Sequence, residues 1–339
     1  MGCLKKEVAV RANHILLIGL ATVAAPWHVL AQGRVDVCKT TTAPINAPYV
    51  ANGINAGVSP PGFVNLPGNV PVLHGADVSK YQADADMIQI ARCGGTFAYI
   101  RVSAGSDWTN ETTFSAKWGA AQHVKLVIGA YHTLTFVPVK PENAASLTQD
   151  AIEQTFSDHG VTQARLFLEN FRQLVKVDIE NKITPEYLPP AVSIIGVPST
   201  AQWAGNMTIE RYQRVICSFV ETVERDPLLG GKPLVLFTDA GTFDQQKLAD
   251  VSCLHRVPRI VWLKYPSIGA MGIPQEGNDV DTRLVERLCH PIDGSRRCLF
   301  HQYTNLGGDA LGSVGPGLDL DRFIGTRKNL DDLIIRSRS

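Results

Sequence analysis

The 339-residue sequence lacks the short motifs that mark several large enzyme classes. No GxGxxG turn and no P-loop is present, which argues against nucleotide binding through glycine-rich turns. The absence of GxSxG removes the serine-hydrolase elbow. The absence of HExxH, CxxC and regularly spaced histidines argues against a zinc site. We therefore expect no metal and no other cofactor.

The chain also lacks an excess of charge of either sign and any internal repeat. Lys plus Arg and Asp plus Glu both number 32, so no electrostatic argument favours nucleic acid or an anionic membrane as a partner. No period of about 20–50 residues recurs, which argues against a solenoid. The hydrophobic fraction of 45% is typical of a globular chain, and we expect a monomer.

Residues 1–31 have the plan of a secretory signal peptide. A basic stretch that ends at Arg11 precedes an apolar run at 15–25, and small residues precede a cleavage site before Gln32. The alternative is an uncleaved anchor, but the apolar run is shorter than the roughly 20 residues needed to cross a bilayer. We expect a secreted or periplasmic protein without a membrane span after cleavage, in which residues 32–70 form an extended arm or linker.

Six cysteines follow residue 31, and an even number in an exported protein permits three disulfide bonds. Cys289 and Cys298 flank a short polar segment and are the easiest local pair. The pairing cannot be deduced from spacing alone, and buried free thiols are the alternative.

From residue 71 to residue 339, short apolar runs alternate with helix-like segments. The runs are rich in β-branched and aromatic residues, and they read VLHGADVS, FAYIRVS, KLVIGAYHTL, LVKVDIE, PLVLFTDAG, RIVWLKYP, CLFHQYTN and GLDLDRF. Helices are expected at 84–92, 114–122, 142–158 and 207–225. This order predicts an α/β fold with parallel strands, most simply an irregular TIM-like barrel of about eight strands with a less helical second half. An open doubly wound sheet is the alternative.

Acidic residues lie at or near the ends of three predicted strands. Asp77 is in the first, Asp178 and Glu180 are in the fourth, and Asp319 and Asp321 are in the last. Residues i and i+2 of a strand share a face, so Asp178 and Glu180 are predicted to point together at the barrel mouth, where barrel enzymes do their chemistry. One protonated and one ionised carboxyl can cleave a glycosidic bond. The alternative places these acids on an exposed rim or at helix caps.

Aromatic and amide side chains are predicted beside the same mouth. Ligand sites combine apolar and aromatic surfaces with a few polar groups, and a sugar offers both C–H faces and hydroxyls. We therefore predict substrate contacts from Tyr81, Tyr131, Trp262, Gln302 and Tyr303. Some of these aromatic residues are expected to belong to the core instead, and His132 is expected to be a core histidine.

Taken together, the runs resemble glycoside hydrolase family 25, the lysozymes that cleave bacterial peptidoglycan. HGADVSKYQ resembles the opening strand of the family, VIGAYHTL its Gly-x-Tyr-His strand and VDIE its Asp-x-Glu pair, and the similarity covers about residues 72–335. The resemblance implies that Glu180 is the general acid, that Asp178 is its partner, and that Asp77 and Asp319 shape the same groove. It implies a β-1,4-N-acetylmuramidase that acts on peptidoglycan glycan strands, between N-acetylmuramic acid and N-acetylglucosamine.

Two departures from the family concern substrate preference. The family has Trp at the position of Tyr81, and it has a carboxylate at the position of Ala104. A second interpretation is a non-catalytic glycan-binding barrel, which loss of the acid pair would favour. A third is a secreted effector or toxin that uses the same muramidase site.

Overall fold

The computed structural model describes residues 71–106, 113–136, 144–180, 184, 186–195, 207–256, 259–264, 298–304 and 317–336. The predicted signal peptide, the predicted arm and Cys289 lie outside these residues. The domain boundaries derived from the sequence therefore stay predictions.

A closed barrel of eight strands forms the centre of the described chain. Its strands are β1 (Val72–Val78), β2 (Gly95–Ala104), β3 (Val127–Thr133), β5 (Ala191–Ile194), β6 (Val235–Asp239), β7 (Val261–Lys264), β8 (Cys298–Thr304) and β9 (Asp319–Ile324). The first seven of these strands pair in parallel in that order. Strand β9 is antiparallel to both β8 and β1 and closes the barrel. The predicted α/β barrel is confirmed, and the open sheet is wrong.

Helices cover the outside of the barrel, and they become short in the second half, as predicted. They are α1 (Met87–Arg92), α2 (Phe114–His123), α3 (Gln149–Glu180), α4 (Ile209–Glu224), α5 (Ala240–Gln245), α6 (Ser252–His255) and α7 (Arg327–Asp331). Side-chain hydrogen bonds cap the first turns of several helices. The Asp86 side chain accepts from backbone N–H groups in the first turn of α1, and the Thr208 side chain accepts from the backbone N–H of Arg211 in α4. A separate two-stranded ladder joins β4 (Glu186–Tyr187) to β10 (Ile335–Arg336). No helix within the described ranges is long and apolar enough to cross a membrane.

The prediction of a fourth strand at LVKVDIE is wrong, because residues 149–180 form one continuous helix of 32 residues. Buried positions recur along α3 at helical spacing, and they include Phe156, Gln163, Phe167, Phe171, Leu174 and Asp178. This stripe packs in the apolar layer between the barrel and its helices. The fourth strand of the barrel is β5, which follows a Pro-Pro pair.

The lumen of the barrel is filled by aromatic rings, which are Phe97, Tyr99, Tyr131, Phe237, Trp262, Phe300 and Phe323. The Trp262 ring stacks at a centroid distance of 3.9 Å on Phe237 and 4.7 Å on Tyr99. A Cβ atom at Gly129 would lie 2.2 Å from the Tyr99 ring, so this position requires glycine. The lumen is thus a packed core, and space for chemistry exists only toward its ends.

A disulfide bond between Cys217 and Cys253 joins α4 to α6. It confirms the prediction that the chain contains at least one disulfide. Cys298 is also disulfide-bonded. Its predicted pairing with Cys289 stays a prediction, because Cys289 lies outside the described residues.

Candidate active site

Two carboxyl groups meet where the first and last barrel strands pair. Asp77 is the penultimate residue of β1 and lies opposite Asp319, the first residue of β9. Because β9 runs antiparallel, its amino end lies at the carboxyl end of β1. Both acids therefore lie at the carboxyl mouth of the barrel, where barrel enzymes assemble their sites.

Two hydrogen bonds fix the Asp77 carboxylate. The Tyr131 hydroxyl donates to its Oδ1 atom at 3.2 Å, and the Gln302 amide donates to its Oδ2 atom at 2.5 Å. All three side chains are buried. Their strands are β1, β3 and β8, so the arrangement forms only when the sheet has closed.

Burial and charge separate the proton affinities of these acids. Burial raises the pKa of Asp77, but the hydrogen bonds and the positive charge of Lys264 oppose that rise. The pKa of Asp319 is raised well above its ordinary value by burial and by the negative charge of Asp77. The negative charge of Asp77 thus favours the protonated form of Asp319.

A third acid, Asp321, lies one layer deeper than Asp319 on the same face of β9. It is fully buried, and the Trp262 indole donates to its Oδ1 atom at 2.8 Å. Burial and the charge of Asp77 raise its pKa well above the ordinary value. The mouth thus contains three neighbouring carboxyl groups on β1 and β9, and the deepest of them accepts from a buried tryptophan.

Basic and aromatic groups form the rim above the acids. Tyr81 follows β1 and is 63% exposed, with the Lys80 amino group at 5.1 Å and the Arg101 guanidinium at 5.4 Å from its ring centre. Arg101 lies in β2, and its positive charge lowers the proton affinity of Asp319, as does that of Lys264 at the end of β7. Sequence reasoning missed both basic residues, although each lies in a predicted strand near its carboxyl end.

A corner of polar contacts holds the turn that carries Tyr81. The Ser79 backbone and hydroxyl both donate to the Gln82 amide oxygen at 2.9 Å. The Gln82 amide nitrogen donates to the Gly317 carbonyl at 3.2 Å, and the Lys117 ammonium donates to the Ser79 carbonyl at 2.6 Å. These contacts tie the exit of β1 to the segment that enters β9.

The acid pair predicted from VDIE is not at this mouth. Asp178 and Glu180 lie at the end of α3, where residues two apart point to different sides of a helix rather than to one face. Asp178 is buried and accepts from the Trp118 indole of α2 at 3.3 Å. The Glu180 side chain is 62% exposed and faces Lys176 at 3.8 Å. The predicted strand location and shared face are wrong for both residues.

The true fourth strand brings no acid to the mouth. Ala191 lies in the lumen cluster, and so does Ile195, which directly follows β5. Since alternate residues of a strand share a face, Ser193 lies on the lumen side between them. Ser193 and Ile195 therefore occupy the side of the mouth where a carboxylate pair was expected.

Three of the predicted substrate contacts are buried. Trp262 is fully buried between rings, and its indole donates to Asp321. Tyr131 and Gln302 are buried and contact Asp77. Tyr81 is the predicted contact with a large exposed surface. Tyr303 lies in β8, but its side chain is outside what the structure describes.

His132 is a core residue, as expected. It is fully buried, with the Ser103 hydroxyl 2.8 Å from Nδ1 and the Gln163 amide oxygen 3.3 Å from Nε2. Burial lowers its pKa to about 3. Within the described ranges no group of three or more His, Cys, Asp or Glu side chains could hold a metal ion.

Comparisons with known proteins find likeness only at the level of structure. No protein-family model matches the chain, and no curated protein matches it. Among solved structures, a bacterial lysozyme from Streptomyces coelicolor is similar at 20% identity and a TM-score of 0.49, over 77% of this chain and 96% of that one. A family 25 glycosyl hydrolase from Bacillus anthracis has 19% identity and a TM-score of 0.49, over 79% and 95%. A muramidase from Acremonium alcalophilum has 19% identity and a TM-score of 0.48, over 77% and 98%.

Proposed function

We propose that the chain is a glycoside hydrolase that acts on peptidoglycan, and that its reaction centre is the pair Asp77 and Asp319. The observation that carries the proposal is the meeting of these two carboxyl groups at the barrel mouth, one held by hydrogen-bond donors and the other pushed toward the protonated form. A carboxylic acid beside a carboxylate is the equipment of glycosidic cleavage.

In this mechanism, Asp319 is the general acid and Asp77 is the ionised partner. Asp319 is partly exposed and gives its proton to the oxygen of the leaving sugar as the glycosidic bond breaks. Water then adds its oxygen to the anomeric carbon and returns a proton to Asp319. The Asp77 carboxylate stabilises the positive charge that develops on the ring, or it orients the N-acetyl group of the substrate. Tyr131 and Gln302 keep the carboxylate in place.

The substrate and the bond come from the resemblance in sequence. The opening motif HGADVSKYQ and the closing motif GLDLDRF place Asp77 and Asp319 where the family has acids of its groove. We accordingly propose the β-1,4 bond between N-acetylmuramic acid and N-acetylglucosamine as the target. Tyr81 supplies an exposed ring at the rim on which a sugar can pack.

We also propose that the protein works outside the cytoplasm. The disulfide between Cys217 and Cys253 is of the kind that persists in oxidising compartments. The predicted signal peptide points to the same location, which is where peptidoglycan is found.

A non-catalytic glycan-binding barrel is the second candidate, and a specific observation favours it. Strand β5 carries Ser193 on the side of the mouth where the family resemblance called for acids. A barrel that had lost one acid pair while keeping Asp77 and Asp319 could still hold a glycan.

One assay separates the two candidates. The secreted full-length chain is incubated with purified peptidoglycan, new reducing ends are quantified and identified, and the bound protein is measured by co-sedimentation. Hydrolysis predicts N-acetylmuramic acid at the new ends, and their loss in Asp319→Asn. Co-sedimentation without new ends would reject the enzyme and favour the binding barrel, and the absence of both would reject both.

A further inference from the structure

Asp321 is a buried acid that the proposed reaction does not use directly. It pairs in register with Gly75 of β1 and with Gln302 of β8, directly beneath the level at which Asp77 faces Asp319. It has no exposed surface. Substrate at the mouth therefore cannot reach it, so any role must be exerted through Asp77.

An account of the hydrogen bonds leaves one oxygen of Asp321 without a donor. Trp262 donates to Oδ1, and no donor within the described residues reaches the buried Oδ2. Asp321 and Asp77 are neighbours on the lumen side of the barrel, because Asp321 pairs with Gly75, two residues before Asp77 on the same face of β1, and with Gln302, whose amide donates to Asp77. Two ionised carboxylates cannot form a hydrogen bond, because both only accept. A single proton shared by the pair removes the repulsion between two buried negative charges, and on Asp321 it turns the oxygen that accepts from no donor into a donor.

The surroundings decide which acid holds that proton. Asp77 already accepts from Tyr131 and Gln302, whereas Trp262 is the one donor to Asp321 among the described residues. The positive charge of Lys264 acts on Asp77, and no ion pair to Asp321 is found in the described part of the chain. Hydrogen-bond donors and positive charge favour the ionised form. The better stabilised carboxylate is therefore Asp77, and the proton belongs on Asp321.

We propose that Asp321 is a protonated positioning residue whose hydroxyl donates to Asp77, so that Asp77 stays ionised and correctly oriented although it is buried. This inference rests on the proposed function for its catalytic consequence only. The shared proton itself is a property of the folded barrel. The other charged or titratable groups near the pair are Asp319 beside it on β9, Arg101 and Tyr99 on β2, and Lys264 on β7.

Asparagine substitutions at the two positions provide a matched test. In Asp321→Asn, the amide oxygen can accept from Trp262 while the amide nitrogen donates to Asp77, which reproduces the pattern of a protonated acid. In Asp77→Asn, the new amide nitrogen replaces an oxygen that accepts from Gln302 or from Tyr131. At Gln302 it faces another donor, and at Tyr131 the hydroxyl can accept from it only by giving up its own acceptor. The proposal therefore predicts that Asp321→Asn is tolerated in folding and that Asp77→Asn is destabilised. Asp321→Leu removes the donor altogether.

The first readout is independent of activity. Infrared difference spectra of the full chain at neutral pH should show a carboxylic-acid band that shifts in D2O and is lost in Asp321→Asn. If wild type and Asp321→Asn have the same carboxylic-acid bands, the proposal is overturned, whether or not the protein cleaves peptidoglycan. The infrared comparison does not need Asp321→Leu, so it tests the protonation of Asp321 even if that variant does not fold.

The second readout is the pH profile of turnover. Asp321→Leu should lower kcat at least tenfold more than Asp321→Asn does, with little change in KM, and it should move the acidic limb of the profile to higher pH because Asp77 loses a donor. An equal loss in both variants would mean that position 321 needs a negative charge, which contradicts the proposal. If neither variant nor wild type turns over substrate, the proposed function fails, and the infrared result still decides the shared proton.

Discussion

The two sides of the barrel mouth carry different kinds of side chain. The side formed by β8, β9 and β1 carries Asp77, Asp319 and Asp321 with their hydrogen-bond donors. The opposite side, at β5, presents Ala191 and Ser193 to the lumen. The difference shows that the buried acids of this mouth are gathered where β9 closes the barrel against β1, and that β5 contributes none.

The largest effect is expected at Asp319. Its conversion to Asn keeps the shape of the side chain but removes the proton donor, so hydrolysis of peptidoglycan should fall by about 10²–10⁴-fold. Release of reducing ends is the measurement, and co-sedimentation with peptidoglycan should persist. If the variant kept more than about a tenth of wild-type turnover, the general acid would not be Asp319. The contrast between the two sides of the mouth would then not explain catalysis.

The second prediction concerns the helices outside the barrel. There, α4 and α6 are linked by the disulfide between Cys217 and Cys253. Replacing both cysteines with Ser should lower the free energy of unfolding by up to about 4 kcal/mol on the chain-entropy model for a loop of this length. Urea unfolding with and without reductant checks it. The double variant should be insensitive to reductant at this site, and an unchanged midpoint would show that the link adds no stability.

The third prediction concerns the buried hydrogen bond that Asp178 forms outside the barrel. Asp178→Ala leaves the Trp118 indole without its acceptor, so the free energy of unfolding should fall by about 1–3 kcal/mol. Asp178→Asn, which keeps an acceptor, is the matched control and should lose less. Turnover per folded molecule should be unchanged in both. A loss of turnover at full stability would restore Asp178 to the site.

The fourth prediction is the pH dependence that Asp321 gives to stability. Its pKa is raised in the folded state, so the stability it contributes is complete below the unfolded value of 3.8 and is lost as pH rises through the folded value. Compared with Asp321→Asn, the wild type should therefore lose stability from about pH 4 upward, with a limiting slope of about 1.4 kcal/mol per pH unit. Parallel curves for the two proteins would contradict a raised pKa.

The smallest effect is expected at Glu180. Its side chain lies largely exposed on α3, and in the described part of the chain its ion pair is with Lys176, one helical turn away. Glu180→Gln should change turnover by less than about twofold and stability by less than about 0.5 kcal/mol. A fall in turnover of a hundredfold or more would contradict this prediction, because the general acid would then be Glu180 rather than an acid of β1 or β9.

Much of the barrel could be predicted from the sequence, since strands β1, β2, β3, β6, β7, β8 and β9 all coincide with apolar runs recognised there. The exception is the predicted fourth strand, which shows the limit of assigning secondary structure from a short run of residues. LVKVDIE looks like a strand by composition, yet Leu174 and Asp178 continue a buried stripe that begins near Phe156 at helical spacing. Periodicity over the whole of 149–180 would have identified the helix, and only then does the short run AVSI become the fourth strand.

For the candidate site, the sequence predicts which acids lie at strand ends, but it does not predict how deeply they are buried or which donors reach them. Asp77 and Asp319 follow from their position in two strands that must be neighbours once the barrel closes. Their differing proton affinities depend on which donors reach them through the lumen, which no one-dimensional pattern contains. Trp262 illustrates the same limit, because a tryptophan at a strand end can serve a ligand or the core equally well.

The pairing of β1 with β9 has a consequence for the time course of folding. The first strand of the barrel cannot be covered on that edge until the last strand has been made. At a synthesis rate of roughly 5–20 residues per second, the edge of β1 stays open for tens of seconds. Open strand edges are sites of aggregation, so a nascent chain of this kind depends on being shielded until its final strand arrives. The acids of the mouth come together in that same last step.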